Sequence, residues 1–149
     1  MTRKASLNGV LTNVPLFSSC NAKELKSIAR LTTGLHLAAG TVITRQGAIG
    51  HHFAIITEGT ANVAIDGRVV AVLGPGDFFG EISLLDGGPQ TATITAETDI
   101  AVEIIGHGEF TQFLRESPSV TRNVLKGIAT RLRAADAHIA DATVTPASD

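Results

Sequence analysis

Glu81, Ser83, Gln90 and Thr91 sit in a stretch otherwise dominated by apolar residues and glycine, Gly76-Asp77-Phe78-Phe79-Gly80-Glu81-Ile82-Ser83-Leu84-Leu85-Asp86-Gly87-Gly88-Pro89-Gln90-Thr91-Ala92-Thr93. Their types suit the capture of a small anion with neighbouring hydroxyls. Gly80 has no Cβ, so another group can lie against its backbone. Glu81 presents two acceptor oxygens to a hydroxyl. Ile82, Ser83 and Leu84 begin a helical turn whose free N–H groups suit a negative charge. Thr91 adds a hydroxyl donor, and the Thr91 and Ala92 amides extend the same nest. Taken alone, Phe79-Gly80-Glu81 also reads as a tight turn with a solvated carboxylate.

Bond-breaking chemistry has little support. There is no G-x-S-x-G elbow to raise Ser83 as a nucleophile, and no G-x-x-x-x-G-K-[ST] loop for a nucleoside triphosphate. A metal-binding cupin would suit the same broad architecture, but adjacent His51 and His52 on a strand point to opposite faces. His36, His107 and His138 are scattered, and Cys20 is the single cysteine, so neither a thiolate zinc site nor an internal disulfide can be built. The expectation is a non-enzyme without a metal.

The elements that must position these residues fall into three periods. In residues 15–31 the period is helical, with Asn21 as N-cap, Glu24 three residues on, and Leu25, Ile28 and Ala29 on one face. Short β-rich runs follow at about 35–37, 41–44, 52–58, 60–65, 69–73, 93–96 and 101–105, separated by glycine turns. Asp66-Gly67 is the dipeptide a type I′ hairpin favours. Helical period returns at Gly108: Phe110, Phe113 and Leu114 mark a short helix ending before Pro118. A longer one follows over 118–139, with Val120, Val124, Leu125, Ile128, Leu132, Ala135 and Ile139 as one stripe. The predicted fold is mainly β with flanking helices: a jelly-roll-like β-roll, or double-stranded β-helix, of about eight short strands. One N-terminal helix, a cassette helix turn and two C-terminal helices complete it.

This order, with the ordered motif Gly76-Asp77-Phe78, Phe79-Gly80-Glu81-Ile82-Ser83-Leu84, Pro89 and Thr91-Ala92-Thr93, closely resembles the cyclic nucleotide-binding domain family, the β-roll of cAMP receptor protein-like regulators. The resemblance covers about residues 15–139. It implies that Glu81 grips a ribose 2′-hydroxyl, and that the helix turn with Thr91 receives the cyclic phosphate of cAMP or cGMP. It also suggests apolar walls, for which Val63 and Leu73 are the candidates; plain core packing is their other reading. The chain departs from the family at Gln90, where an arginine is usual. An amide in place of a guanidinium forfeits about 1.5–3 kcal/mol, roughly ten- to a hundredfold in affinity. Arg131 or Arg133 on the last helix could supply a replacement cation, against the default of a solvated helix face.

Two functions follow. One is a regulatory sensor that couples cAMP or cGMP in the cassette to movement of the C-terminal helices. The alternative is a degenerate or repurposed domain acting as a protein interaction module. Residues 15–140 are read as the domain, 1–14 as an N-terminal extension and 141–149 as a disordered tail or linker. The similarity to bacterial regulators suggests a homodimer through helix 118–139, with Gly127 allowing close approach. An effector domain or protein is a further expected partner. Ten residues follow Ile139, too few for a helix-turn-helix. The formal charge of −2 and six aromatic residues, all Phe, give no basic footprint or stacking surface, so DNA binding by this chain alone is not expected. No run spans a bilayer and no signal peptide is evident, which reads as cytoplasmic, without a membrane partner.

Overall fold

The computed structural model describes residues 11, 14–18 and 20–144, the side chains of 82, 84, 85 and 135–144 aside. A 3₁₀ turn at Pro15–Phe17 leads into α1 (Ala22–Leu31). The eight strands are β1 (Thr33–Leu37), β2 (Val42–Thr44), β3 (His52–Glu58), β4 (Ala61–Ile65), β5 (Arg68–Leu73), β6 (Phe78–Phe79), β7 (Thr93–Ala96) and β8 (Ile100–Gly106). The cassette helix α2 (Glu81–Asp86) separates β6 from β7, and α3 (His107–Glu116) and α4 (Pro118–Val144) close the chain. The strands form two antiparallel four-stranded sheets, ordered β1-β8-β3-β6 and β2-β7-β4-β5.

Local chemistry sets the boundaries. Asn21 Oδ1 accepts from the Glu24 amide at 2.8 Å while Glu24 Oε1 accepts from the Asn21 amide at 3.0 Å, a reciprocal cap that starts α1. Asp66 and Gly67 have φ of 53° and 80°, as the turn between β4 and β5 requires. Strand β6 adds to the runs seen in the sequence: two residues are too short to show a period, but Ala54↔Phe79 and Ile55↔Phe78 pair it with β3.

β3 is buried on both faces, which explains its unbroken apolar run Phe53-Ala54-Ile55-Ile56. Ala54 and Ile56 face the space between the sheets, with Ala61, Phe79, Ile94, Ala96, Ile100 and Val102. Phe53 and Ile55 face the helices and join a second core of Leu11, Val14, Phe17, Ile28, Phe78, Ile105, Phe110, Phe113, Val120 and Val124. Neighbouring Phe78 and Phe79 therefore anchor one core each. Phe53 stacks at 5.4 Å on Phe78 and at 4.2 Å on Phe110, so a ladder of rings joins the cassette's leading strand to α3.

Four expectations change. Leu11 and Val14, placed in an N-terminal extension, are core residues at 0% and 2% exposure; residues 1–10 of that segment lie outside the described ones. Residues 141–144 continue α4 instead of starting a loose tail, since that stretch holds neither glycine nor proline to break it; residues 145–149 lie outside the described ones. The stripe on α4 divides: Val120 and Val124 are buried and Ile128 packs on the core, whereas Leu125 and Leu132 are exposed. Gly127 serves the chain's own roll, since a Cβ there would lie 2.7 Å from Phe78 Cζ. All six phenylalanines are buried, which leaves no ring free for a base to stack on.

Candidate functional site

The cassette begins with a backbone device. The Gly74 amide donates to Asp77 Oδ2 at 2.8 Å, and the Asp77 carbonyl accepts from the Ile56 amide at 2.9 Å, which fastens the turn before β6 to β3. Gly80 then adopts φ +95°, and a Cβ there would stand 2.5 Å from the His52 carbonyl oxygen. Its missing side chain is thus required by the chain's own strand, whatever else approaches it. The imidazole of His107 lies beside the backbone of Gly80 and His52; burial is the main influence holding its pKa below the ordinary 6.5, and these contacts oppose it. Its Nε2 is buried with no geometric partner among the described residues.

Glu81 occupies the first turn of α2, where the helix dipole favours a carboxylate, and is 5% exposed. No side chain caps this helix start. Ser83 is 4% exposed, and its hydroxyl has no partner among the described residues. Buried hydroxyls are normally bonded, so an open one beside uncapped amides fits a site that accepts an anion. Gly87 ends the helix, its amide donating to the Ser83 carbonyl at 2.9 Å.

Beyond α2, Gln90 is pinned by its backbone: its amide donates to the Ala48 carbonyl and its carbonyl accepts from the Gly47 amide, both at 2.8 Å. Its side-chain amide lies across Gly50, where a Cβ would be 1.8 Å from Nε2. Thr91 is exposed and Ala92 is buried. Val63 and Leu73 are partly buried and pack on the core between the sheets, where Phe79 is fully enclosed. Phe79 is thereby placed as a core side chain. The side chain of Ile82 lies outside the described set.

The helix face beyond the cassette carries the main surprise. Arg131 donates through Nη1 to Glu81 Oε1 and through Nη2 to the Phe78 carbonyl oxygen, with its guanidinium 4.4 Å from the centroid of the Phe78 ring. Arg131 is therefore no solvated helix residue, and it meets the cassette at Glu81; Arg133 is exposed. The spacing of four from Gly127 to Arg131, which puts both on one helix face over Phe78, was the available signal. An open depression of about 340 Å³ lies elsewhere, between His36, Glu58 and Asp99. It sits at the opposite end of β3 from His52, roughly 20 Å from the cassette at 3.3 Å per residue, and its open, mixed lining offers no comparable donor set. His51 and His52 are both exposed, and no cluster of metal-ligating residues occurs among the described residues.

This geometry stands beside two kinds of likeness. Residues 35–117 match the family model described as cyclic nucleotide-binding domain. The chain belongs to that family. Over 114 residues it is 34% identical to a cAMP-dependent protein kinase regulatory subunit of Yarrowia lipolytica, a match covering 75% of this chain and 30% of that protein. The cyclic nucleotide-binding fold also superposes on the catabolite activator protein of Thermus thermophilus with a TM-score of 0.78 at 28% identity, covering 87% of this chain and 63% of that one. A regulatory subunit of a cAMP-independent protein kinase A from Trypanosoma brucei gives 0.78 at 26% identity, covering 86% and 46%. The chain thus spans under a third of the Yarrowia relative's length. These relatives bear the names of regulatory subunits and an activator.

Proposed function

We propose that this domain is a sensor of a 3′,5′-cyclic nucleotide, cAMP or cGMP. The cyclic phosphate rests against the amides opening α2, the Ser83 hydroxyl, Thr91 and Gln90. Glu81 takes the ribose 2′-hydroxyl, and Val63 and Leu73 wall the ring. The observation that carries this reading is the pairing of an unpartnered buried hydroxyl at Ser83 with a buried carboxylate at Glu81, two residues apart on an uncapped helix start. A phosphate drawing on α2 pulls at β6 and Phe78, on which α4 packs through Arg131 and to which α3 is joined through Phe53. That coupling is limited to the ligand's differential affinity for the two positions. Calorimetric titration with cAMP and with cGMP tests the reading: saturable binding of at least one supports it, and no heat with either at millimolar concentration sinks it.

A second reading rests on a specific observation. Gln90 is neutral, its side chain lies on Gly50, and the similar trypanosome protein is named cAMP-independent. On that reading the roll serves as a protein interaction module. Output in either case belongs to an effector domain or protein. Leu125 and Leu132, seven residues apart and exposed at 56% and 59%, suit a homodimer through α4. Sedimentation of the chain and of a Leu125→Glu/Leu132→Glu variant checks it; a parent chain that sediments as a monomer removes it. No described helix is long and apolar enough to cross a membrane. We place the protein in the cytoplasm, where cyclic nucleotide signals are read.

A further inference from the structure

Three histidines converge where the cassette begins. His51 and His52 lead into β3 and His107 opens α3; the His107 amide donates to the His51 carbonyl at 2.9 Å, and His52 pairs with Gly106. His51 and His52 are exposed. The His107 imidazole instead lies beside the backbones of His52 and Gly80, with Nε2 buried and no geometric partner for it among the described residues. Gly80 is the left-handed residue that opens α2, and its contact with the His52 carbonyl is too close for a Cβ. The Ser83 hydroxyl lies three residues further on, roughly 5 Å along the helix. Two of the three buried side-chain atoms without a partner among the described residues therefore border this one turn.

Enclosure is the main influence against a charge on the His107 imidazole, and the charges of His52 and His51 add to it. Its place in the first turn of α3 also sets an imidazolium against the helix dipole. The His52 and Gly80 backbones pull the other way. The carboxylates on the adjoining turns are Glu109 on α3 and Glu81 on α2, the latter paired with Arg131 on α4.

We propose that His107 makes the cassette proton-linked: an anion seated there draws a proton onto the imidazole, so the chain holds a cyclic nucleotide more tightly in mildly acidic solution. This rests on reading the cassette as a cyclic nucleotide site and adds a regulation to it. The sign follows from linkage. The ligand-free imidazole titrates below 6.5 and the ligand's charge raises that value, so binding takes up a proton between the two. Affinity rises as pH falls through the higher value and levels off below the lower one. A cyclic phosphodiester keeps its single charge throughout this range, so the protein supplies the dependence.

The test is calorimetry with cAMP and with cGMP on the whole chain at pH 7.5 and 5.5. Repeating it at pH 6.0 in two buffers of different ionisation heat counts the protons taken up. The parent is expected to bind about three- to tenfold more tightly at pH 5.5, the order of one charge pair near a protein surface. It should take up a fraction of one proton at pH 6.0. His107→Gln, which cannot gain a proton, should lose both effects, each protein being compared with itself across pH. His51→Gln/His52→Gln should keep both, because exposed charges are screened by salt. A parent whose affinity ignores pH or weakens at pH 5.5 overturns this inference alone, as does a dependence that survives in His107→Gln. If that variant does not fold, the double variant decides: proton uptake that vanishes there belongs to His51 and His52 and overturns the inference. A parent that binds neither nucleotide at either pH overturns the cassette reading and this inference with it.

Discussion

The two ends of the cassette are finished differently. At Glu81 the charge is met: Arg131 pairs with the carboxylate, Phe78 holds the arginine, and Gly127 seats the helix that brings it. At Ser83 and Gln90 nothing equivalent occurs among the described residues, because the Ser83 hydroxyl is buried without a partner there and Gln90 is neutral with its amide on Gly50. Position 90 thus carries no cation, while a cation from α4 stands at the other end. Arg131 meets the Glu81 carboxylate, and Gln90 has no charge of its own. A charge on a carboxylate serves orientation, whereas a charge at position 90 would serve phosphate affinity directly, so the two ends should respond to substitution in different ways.

The largest expected response is to Gln90→Arg. Restoring a guanidinium beside a bound phosphate should tighten cyclic nucleotide binding by about ten- to a hundredfold, the reverse of the 1.5–3 kcal/mol forfeited by an amide. The missing Cβ at Gly50 leaves room for a longer side chain to start along the path Gln90 takes. Calorimetry with cAMP and cGMP measures it. An unchanged affinity would mean that no phosphate lies within reach of position 90, and the contrast between the ends would then lose its phosphate side.

Ser83→Ala should give a smaller effect with opposite signs in two assays. In the free chain the hydroxyl has no partner to strand among the described residues, so urea denaturation should show stability unchanged or raised by about 1 kcal/mol. With cyclic nucleotide present the same variant should bind roughly tenfold more weakly, having lost a hydrogen bond to a charged group. A clear loss of stability without ligand would show that the hydroxyl already has an internal role, and the phosphate end would cease to be unfinished.

How far the sequence led depends on the distance over which each feature is decided. The Asn21–Glu24 cap and the Asp66-Gly67 turn lie within four residues, so local chemistry states them in full. The cassette was legible because its polar groups are neighbours in one stretch. The seat of Arg131 was not, since helical period marks a face without naming what covers it, and the pair spans 50 residues. The same limit explains Leu125 and Leu132, which share a stripe with buried Val120 and Val124 yet face outward. Phe78 and Phe79 are adjacent and alike, and only strand pairing with β3 sends them to different cores.

The smallest effect should come from the backbone that both ends share, at Gly80. His107 lies against it, and burial, followed by the charges of His52 and His51, holds the imidazole below its ordinary pKa of 6.5 while the His52 and Gly80 backbones pull the other way. A histidine whose folded pKa is depressed binds fewer protons folded than unfolded, so its contribution is whole above the unfolded value. That contribution is lost as pH falls through 6.5 toward the folded pKa. Urea midpoints at pH 7.5 and 5.5 should therefore draw apart in the parent and approach each other in His107→Gln, which cannot take up a proton. His51 and His52 remain in both proteins, so the difference between the two slopes isolates His107. Equal slopes would show that its proton is exchanged without cost to the fold, and that the cassette's first turn does not feel pH through this residue.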